Sequence, residues 1–180
     1  MRKLYIFLIV FFSCITGTIL IFTSNFFLKT QIYSDNPKVK RWAIDTLVEK
    51  GASVVPSILP IAEDEEEEEE IRRAAVFILG EVHEEKTAPN LITLMNEGPL
   101  LIRQQAAYSL RKMKDPVAFE ALREAYKTGP HPVRAKALFA LGEMDNPKVL
   151  PILKEALLSP DTYFREVAGA ALEIQRSKKK

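Results

Sequence analysis

The apolar positions along the chain follow two different rules. From Leu4 to Phe22, 19 positions pass without a charge, and the uncharged run continues to Leu28. From residue 37 onward, apolar residues recur at i, i+4 and i+8, the spacing of one face of an α-helix. One pattern, apolar–basic–x–x–Ala–x–x–x–Leu, returns five times. It reads Val39-Lys40 with Ala43 and Leu47, Ile71-Arg72 with Ala75 and Leu79, and Ile102-Arg103 with Ala106 and Leu110. Val133-Arg134 with Ala137 and Leu141 follows, then Phe164-Arg165 with Ala168 and Leu172. Successive starts lie 32, 31, 31 and 31 residues apart. A second helix follows in register, because Leu91, Leu122 and Leu153 each stand 20 residues after the start of their repeat. Pro116 and Pro147 open such helices and Pro89 and Pro151 fall in their early turns, where a missing N–H costs little. Gly98-Pro99, Gly129-Pro130 and Ser159-Pro160 are stop signals between repeats.

These elements predict an all-α chain of about four and a half helical hairpins over residues 37–176. The fifth repeat ends after its first helix, Asp161 to about Gln175. A lone hairpin cannot bury its apolar face, so neighbours must stack to make a continuous core. Phe77, Tyr108 and Phe139 share one position and are expected to fill a layer of that core. Trp42 is expected to pack against the end of the core.

The repeat, best seen in HPVRAKALFALGEMDNPKVLPILKEALLSP at residues 131–160, resembles the HEAT-repeat family, and more closely its short phycobilisome-lyase-like subclass. The resemblance spans residues 36–176. It implies a right-handed α-solenoid in which Lys40, Arg72, Arg103, Arg134 and Arg165 form a structural ladder, bonding turn carboxylates or carbonyls such as those at Asp115 and Asp145. The alternative for the ladder is a basic ridge for an acidic partner. The resemblance also implies that the second helices line the face that binds partners. Their polar positions Thr93, Asn96, Arg123, Glu124, Lys127, Lys154 and Glu155 are then the candidate contacts, mixed in sign as a protein-binding groove is, and equally as a solvated face is.

The N-terminal run sets the domain plan. At about 1.5 Å per residue it can cross a hydrocarbon core of about 30 Å. A cleaved signal wants a shorter apolar core and small residues before the cut, and Phe22-Thr23-Ser24 is a poor match. A lipoprotein signal wants small residues before Cys14, where Phe11-Phe12-Ser13 stands. An uncleaved transmembrane or signal-anchor helix fits best. The expected plan is an anchor at 1–29, a linker at 30–36, the repeat domain at 37–176 and a basic tail at 177–180. Arg2 and Lys3 favour an exported repeat domain on a single-pass membrane protein, whereas Lys29, Lys38, Lys40 and Arg41 pull the other way.

Charge and chemistry narrow the function. The chain of 180 residues is 27% charged with net charge +1. Arg2, Lys3 and Lys29 are the only charges in residues 1–29, so the remainder is net −2, which gives no electrostatic case for nucleic acid. The single cysteine, Cys14, lies in the apolar run. Glu63 to Glu70, with Asp64, are eight consecutive acids. They read as a solvated overhang preceding a helix, or as a site for a basic partner or a loosely held divalent cation. His83 and His131 stand 48 residues apart near turns, without spaced metal-ligand partners. No catalytic constellation, phosphate loop, metal set or cofactor motif is legible, so a non-enzymatic function without cofactor is expected. The leading expectation is a membrane-tethered protein-interaction scaffold, held through residues 4–28 and binding another protein. The alternative is a lyase- or chaperone-like subunit related to phycobilisome lyases. Apolar residues on more than one side of the last helix add an expectation of weak self-association there, against a reading of that helix as a reduced cap.

Overall fold

The computed structural model describes residues 25–113 and 116–178. The membrane-anchor reading of residues 4–28 falls outside them except for its last four positions. Among the described residues the regular structure is helical, and no helix is long and apolar enough to cross a membrane.

The chain divides into two bodies at Leu47. The first contains α1 (Asn25–Gln31) and most of α2 (Pro37–Glu49). Leu28, Ile32, Ala43 and Leu47 are fully buried, so the stretch expected to be a linker at 30–36 holds the end of a helix and a core residue. Trp42 is 47% exposed, contrary to the expected packing. It sits about 100° round the helix from the buried Ala43, off the covered stripe.

The second body begins at Val48. It runs α3 (Val55–Glu63), α4 (Glu69–Val82), α5 (Ala88–Glu97), α6 (Leu100–Ser109), α7 (Pro116–Thr128), α8 (His131–Glu143), α9 (Val149–Ala156) and α10 (Thr162–Ser177). The predicted stripes are the core: Ala75, Leu79, Leu91, Ile102, Ala106, Leu122, Val133, Ala137, Leu141, Leu153 and Ala168 are all fully buried. First helices α4, α6, α8 and α10 pack in succession, and second helices α3, α5, α7 and α9 lie beside them.

The pairing differs from the expected hairpins by half a repeat. Each second helix packs more extensively on the first helix after it than on the one before it: α3 with α4, α5 with α6, α7 with α8, α9 with α10. Gly98-Pro99 and Gly129-Pro130 therefore join partners rather than separate them. The links are only those two residues long, and the prolines, with ψ of 157° and 151°, turn the chain straight into the next helix. First-to-second links are looser and carry 3₁₀ turns, as at Glu85–Thr87.

Two close approaches set the spacing of the first helices. A Cβ on Gly80 would lie 2.4 Å from the Ser109 Cβ, and one on Gly142 would lie 2.2 Å from the Ala171 Cβ. Ser109 repays its burial by donating Oγ–H to the Val76 carbonyl at 2.9 Å. Phe77, Tyr108 and Phe139 do not form a core layer. They are half-buried, and the Tyr108 and Phe139 rings stack with centroids 6.4 Å apart. Their position lies off the buried stripe, and the Tyr108 ring is covered further by the Arg111 guanidinium, 3.5 Å from its centroid. On α10 the buried stripe is Phe164, Ala168, Ala171 and Gln175. The exposed Thr162, Glu166, Glu173 and Arg176 lie across the helix from Ala171.

Gly142→Ala is expected to destabilise the fold by about 1–3 kcal/mol, because the methyl meets a side-chain stub and backbone that cannot swing away. Gly169→Ala, where a Cβ would meet nothing within 4 Å, is expected to be neutral or to stabilise by up to about 1 kcal/mol. Denaturant melts of the pair check this; equal midpoints would show that the close approach is not real. Ala137→Glu, placing a carboxylate at a fully buried position, is expected to cost several kcal/mol and to lower the midpoint far more than either.

Candidate functional site

The recurring arginines of the repeat hydrogen-bond to backbone carbonyls. The last carbonyls of a helix have no partner within it, and the arginine one turn into the following first helix supplies one. Arg72 Nε donates to the Ala62 carbonyl at 3.3 Å, Arg103 Nε to Met95 at 2.9 Å, and Arg134 Nε to Tyr126 at 2.9 Å. The acceptors are carbonyls at the ends of second helices, not groups of the first-to-second turns such as Asp145. A charged donor there contributes about 1.5–3 kcal/mol as a hydrogen bond, with a smaller gain from the helix dipole. Arg72 is 5% exposed, too covered to serve as a ridge. Arg134 also lies over the Phe164 ring, 4.6 Å from its centroid. Arg165 departs from the pattern because α9 ends early. It donates to the carbonyls of Ser159 and Pro160 at 2.8 and 2.9 Å and to Thr162 Oγ1 at 2.8 Å. Lys40 lies half-buried in the first turn of α2, in the other body.

All seven candidate contacts on the second helices are exposed. Thr93 and Asn96 lie on α5, Arg123, Glu124 and Lys127 on α7, Lys154 and Glu155 on α9. Arg123 pairs with Glu120 at 2.6 Å. Thr93 bonds back to the Pro89 carbonyl at 3.2 Å. Glu155 reaches the α7 neighbourhood electrostatically: burial pushes the Tyr126 phenol up, and the Glu155 charge adds to it. The acidic run spans the end of α3, the turn after it and the first turn of α4, where Glu69 and Glu70 meet the positive helix end. Among the described residues no group of His, Cys, Asp and Glu is arranged to hold a metal ion.

The periodic reading missed a charged hub where the first helices end. Arg111, 7% exposed, meets Glu81 at 2.6 Å and, as an ion pair rather than an aligned hydrogen bond, Glu143 at 2.7 Å. Its Nη1 donates to the Tyr108 carbonyl at 2.9 Å, and its guanidinium lies 3.5 Å from the Tyr108 ring centroid. Lys112 also bonds Glu81. Beside the hub opens a cleft of about 780 Å³ whose lining includes His83, Glu85, Met113, Met144 and Asp145. His83 ends α4 in the left-handed region at φ 56°, a place more often filled by Gly or Asn. The hub did leave a sequence signal: the tenth position after the second, third and fourth starts reads Glu81, Lys112, Glu143, alternating in sign. A second missed feature is Gln175, whose Nε2 donates to the carbonyls of Gly142 and Met144 at 2.7 and 2.8 Å and so caps α8.

A family model for HEAT repeats matches residues 26–99, 55–141 and 102–173. The chain belongs to the HEAT-repeat family. The HEAT array is similar in structure to a chain of the complex of CpcE and CpcF of phycocyanin lyase from Nostoc sp., with a TM-score of 0.67 and 20% identity. That match covers 81% of this chain and 95% of the other. Human deoxyhypusine hydroxylase in complex with glycerol gives a TM-score of 0.41 at 14% identity, covering 85% of this chain and 84% of the other. No curated protein matches the sequence. At 20% identity the likeness to the lyase component is one of fold alone.

Burial alone would raise the Glu81 carboxyl, but the hydrogen bonds and charges of Lys112 and Arg111 outweigh it and hold the group below its ordinary value. Its contribution is therefore complete above the ordinary carboxylate range and is lost as pH falls through the depressed folded value. His83 acts in the same direction: burial and then the Lys112 charge push its ring down, so the unfolded chain binds its proton more readily. The melting temperature is expected to fall on acidification from about pH 7 to about pH 3, with Glu81→Gln flattening the lower part of that fall. An unchanged acid limb in Glu81→Gln would show that the pair makes no net contribution.

Proposed function

We propose that this HEAT-repeat chain is a protein-interaction scaffold, tethered to a membrane by its N-terminal apolar run. The observation that carries the scaffold reading is the set of second-helix side chains. Thr93, Asn96, Arg123, Glu124, Lys127, Lys154 and Glu155 are all solvent-facing, of both signs, and presented by consecutive repeats on a rigid core. Such a surface suits a polar protein partner, since the buried stripe and the arginine ladder are already committed to holding the array together. The tether rests on the length of the uncharged run at 4–28. The single-pass arrangement with an exported repeat domain rests on Arg2 and Lys3 ahead of that run. The proposal includes no catalytic step, no cofactor and no nucleic-acid partner. It includes weak self-association through α10, resting on the half-covered Val167 and Ile174 and the exposed Ala170 beside its polar cap.

The second reading is a lyase- or chaperone-like subunit. It is favoured by the structural similarity to a component of a phycocyanin lyase complex over nearly the whole length of that component. On this reading too the chain acts by embracing another protein, and chemistry resides in the complex.

Photo-crosslinking in native membranes separates the possibilities. A crosslinker at Lys127 or Lys154 is expected to capture a discrete partner, whereas one at the exposed Lys136 on the first-helix side is not. Capture from Lys136 alone would sink the second-helix assignment. Recovery of the full chain in a carbonate-washed soluble fraction would sink the tether. A chromophore-bearing protein as the captured partner would favour the second reading.

A further inference from the structure

In a HEAT array each repeat ordinarily touches only its neighbours, so bending accumulates freely along it. Arg111 acts at both junctions of its repeat at once. It stands in the third repeat and meets Glu81 of the second repeat at 2.6 Å and Glu143 of the fourth at 2.7 Å. The remaining donors are used locally, on the Tyr108 carbonyl at 2.9 Å. The Tyr108 ring lies under the guanidinium, and that ring stacks on Phe139 of the fourth repeat. Hence one side chain fixes where three successive first helices end. Its burial matters, because the pairs are sheltered from salt that would screen a surface bridge.

We propose that Arg111 is a curvature clamp: it locks the ends of α4, α6 and α8 together, and so fixes the angle at which the second, third and fourth repeats turn. Beside the clamp stand Lys112, His83, Glu85 and Asp145, and among the described residues Arg111 pairs with Glu81 and Glu143. Arginine suits the place, because a planar fork reaches two carboxylates from a single stem, whereas the point charge of lysine reaches one. The clamp stands on this geometry alone. Its functional consequence rests on the proposed second-helix surface: α5, α7 and α9 belong to these same three repeats, so the clamp sets the spacing of the contacts they offer a partner.

The test needs no partner, so it can fail independently of the binding surface. In the full chain, with Cys14 replaced by serine, spin labels are placed at the exposed Thr93 and Lys154 and the distance distribution is measured by pulsed electron resonance. The unmodified hub is expected to give one narrow distribution. Arg111→Met is expected to broaden or shift it by on the order of 2 Å, with helical circular dichroism retained. Where Arg111→Met fails to fold, Glu143→Gln serves, since it leaves the Glu81 limb in place. With labels at Arg123 and Lys154 the distribution is expected to broaden, and with labels at Thr93 and Arg123 it is expected to stay. Distributions that superimpose on the parent in a folded variant overturn the clamp.

Discussion

Each second helix of this array ends with carbonyls that nothing in its own backbone can satisfy, and the first helix that follows brings the donor. The arginine stands one turn into that helix, and its reach is short. To place Arg103 on the Met95 carbonyl or Arg134 on Tyr126, the chain must reverse within two residues, and Gly-Pro does so. The tight pairing of each second helix with its successor, and the register of Ile102 or Val133 in the core, both depend on that reversal. Where the second helix stops short, at Ala156, Arg165 turns to Ser159 and Pro160 instead, and the turn lengthens.

The repeat was legible because it combines a stripe that must be buried with a polar tie that must be made, and both recur with the period of the fold. Positions such as Ala137 and Leu141 carry their burial in their spacing. The pairing of helices was not legible, because Gly-Pro marks a reversal of the chain without saying which neighbours it joins. Phe77, Tyr108 and Phe139 were misplaced for a related reason: large aromatic rings at a constant position imply a layer, but the layer is a half-open ladder on the outer side of the first helices. Trp42 lies one residue off the buried stripe and is exposed as its angle assigns; the size of an apolar side chain does not carry it into the core. Arg111 escaped because it interrupts the pattern, occupying a place where Gly80 and Gly142 stand in neighbouring repeats.

The sequence places Thr93, Lys127 and Lys154 by the same periodicity as Leu91, Leu122 and Leu153, and all three are exposed. What it could not supply is a choice of partner. A solvated face and a polar binding face are built from the same side chains, and they differ only in what meets them. The HEAT fold, shared with a phycocyanin lyase component at 20% identity, supplies a shape on which many such faces have been built.

The half-repeat offset between sequence period and helix pairing changes where this molecule can be cut. A fragment bounded at Gly98-Pro99 splits α5 from α6 and bares the apolar flank of each. One bounded within 83–87 or 144–148 leaves each second helix with the first helix after it, and parts the first helices where Gly80 meets Ser109 or Gly142 meets Ala171. Duplication or loss of a repeat during evolution is subject to the same geometry: a crossover in the loose links exchanges whole packed pairs, whereas one in the Gly-Pro turns must rebuild the arginine tie across the junction.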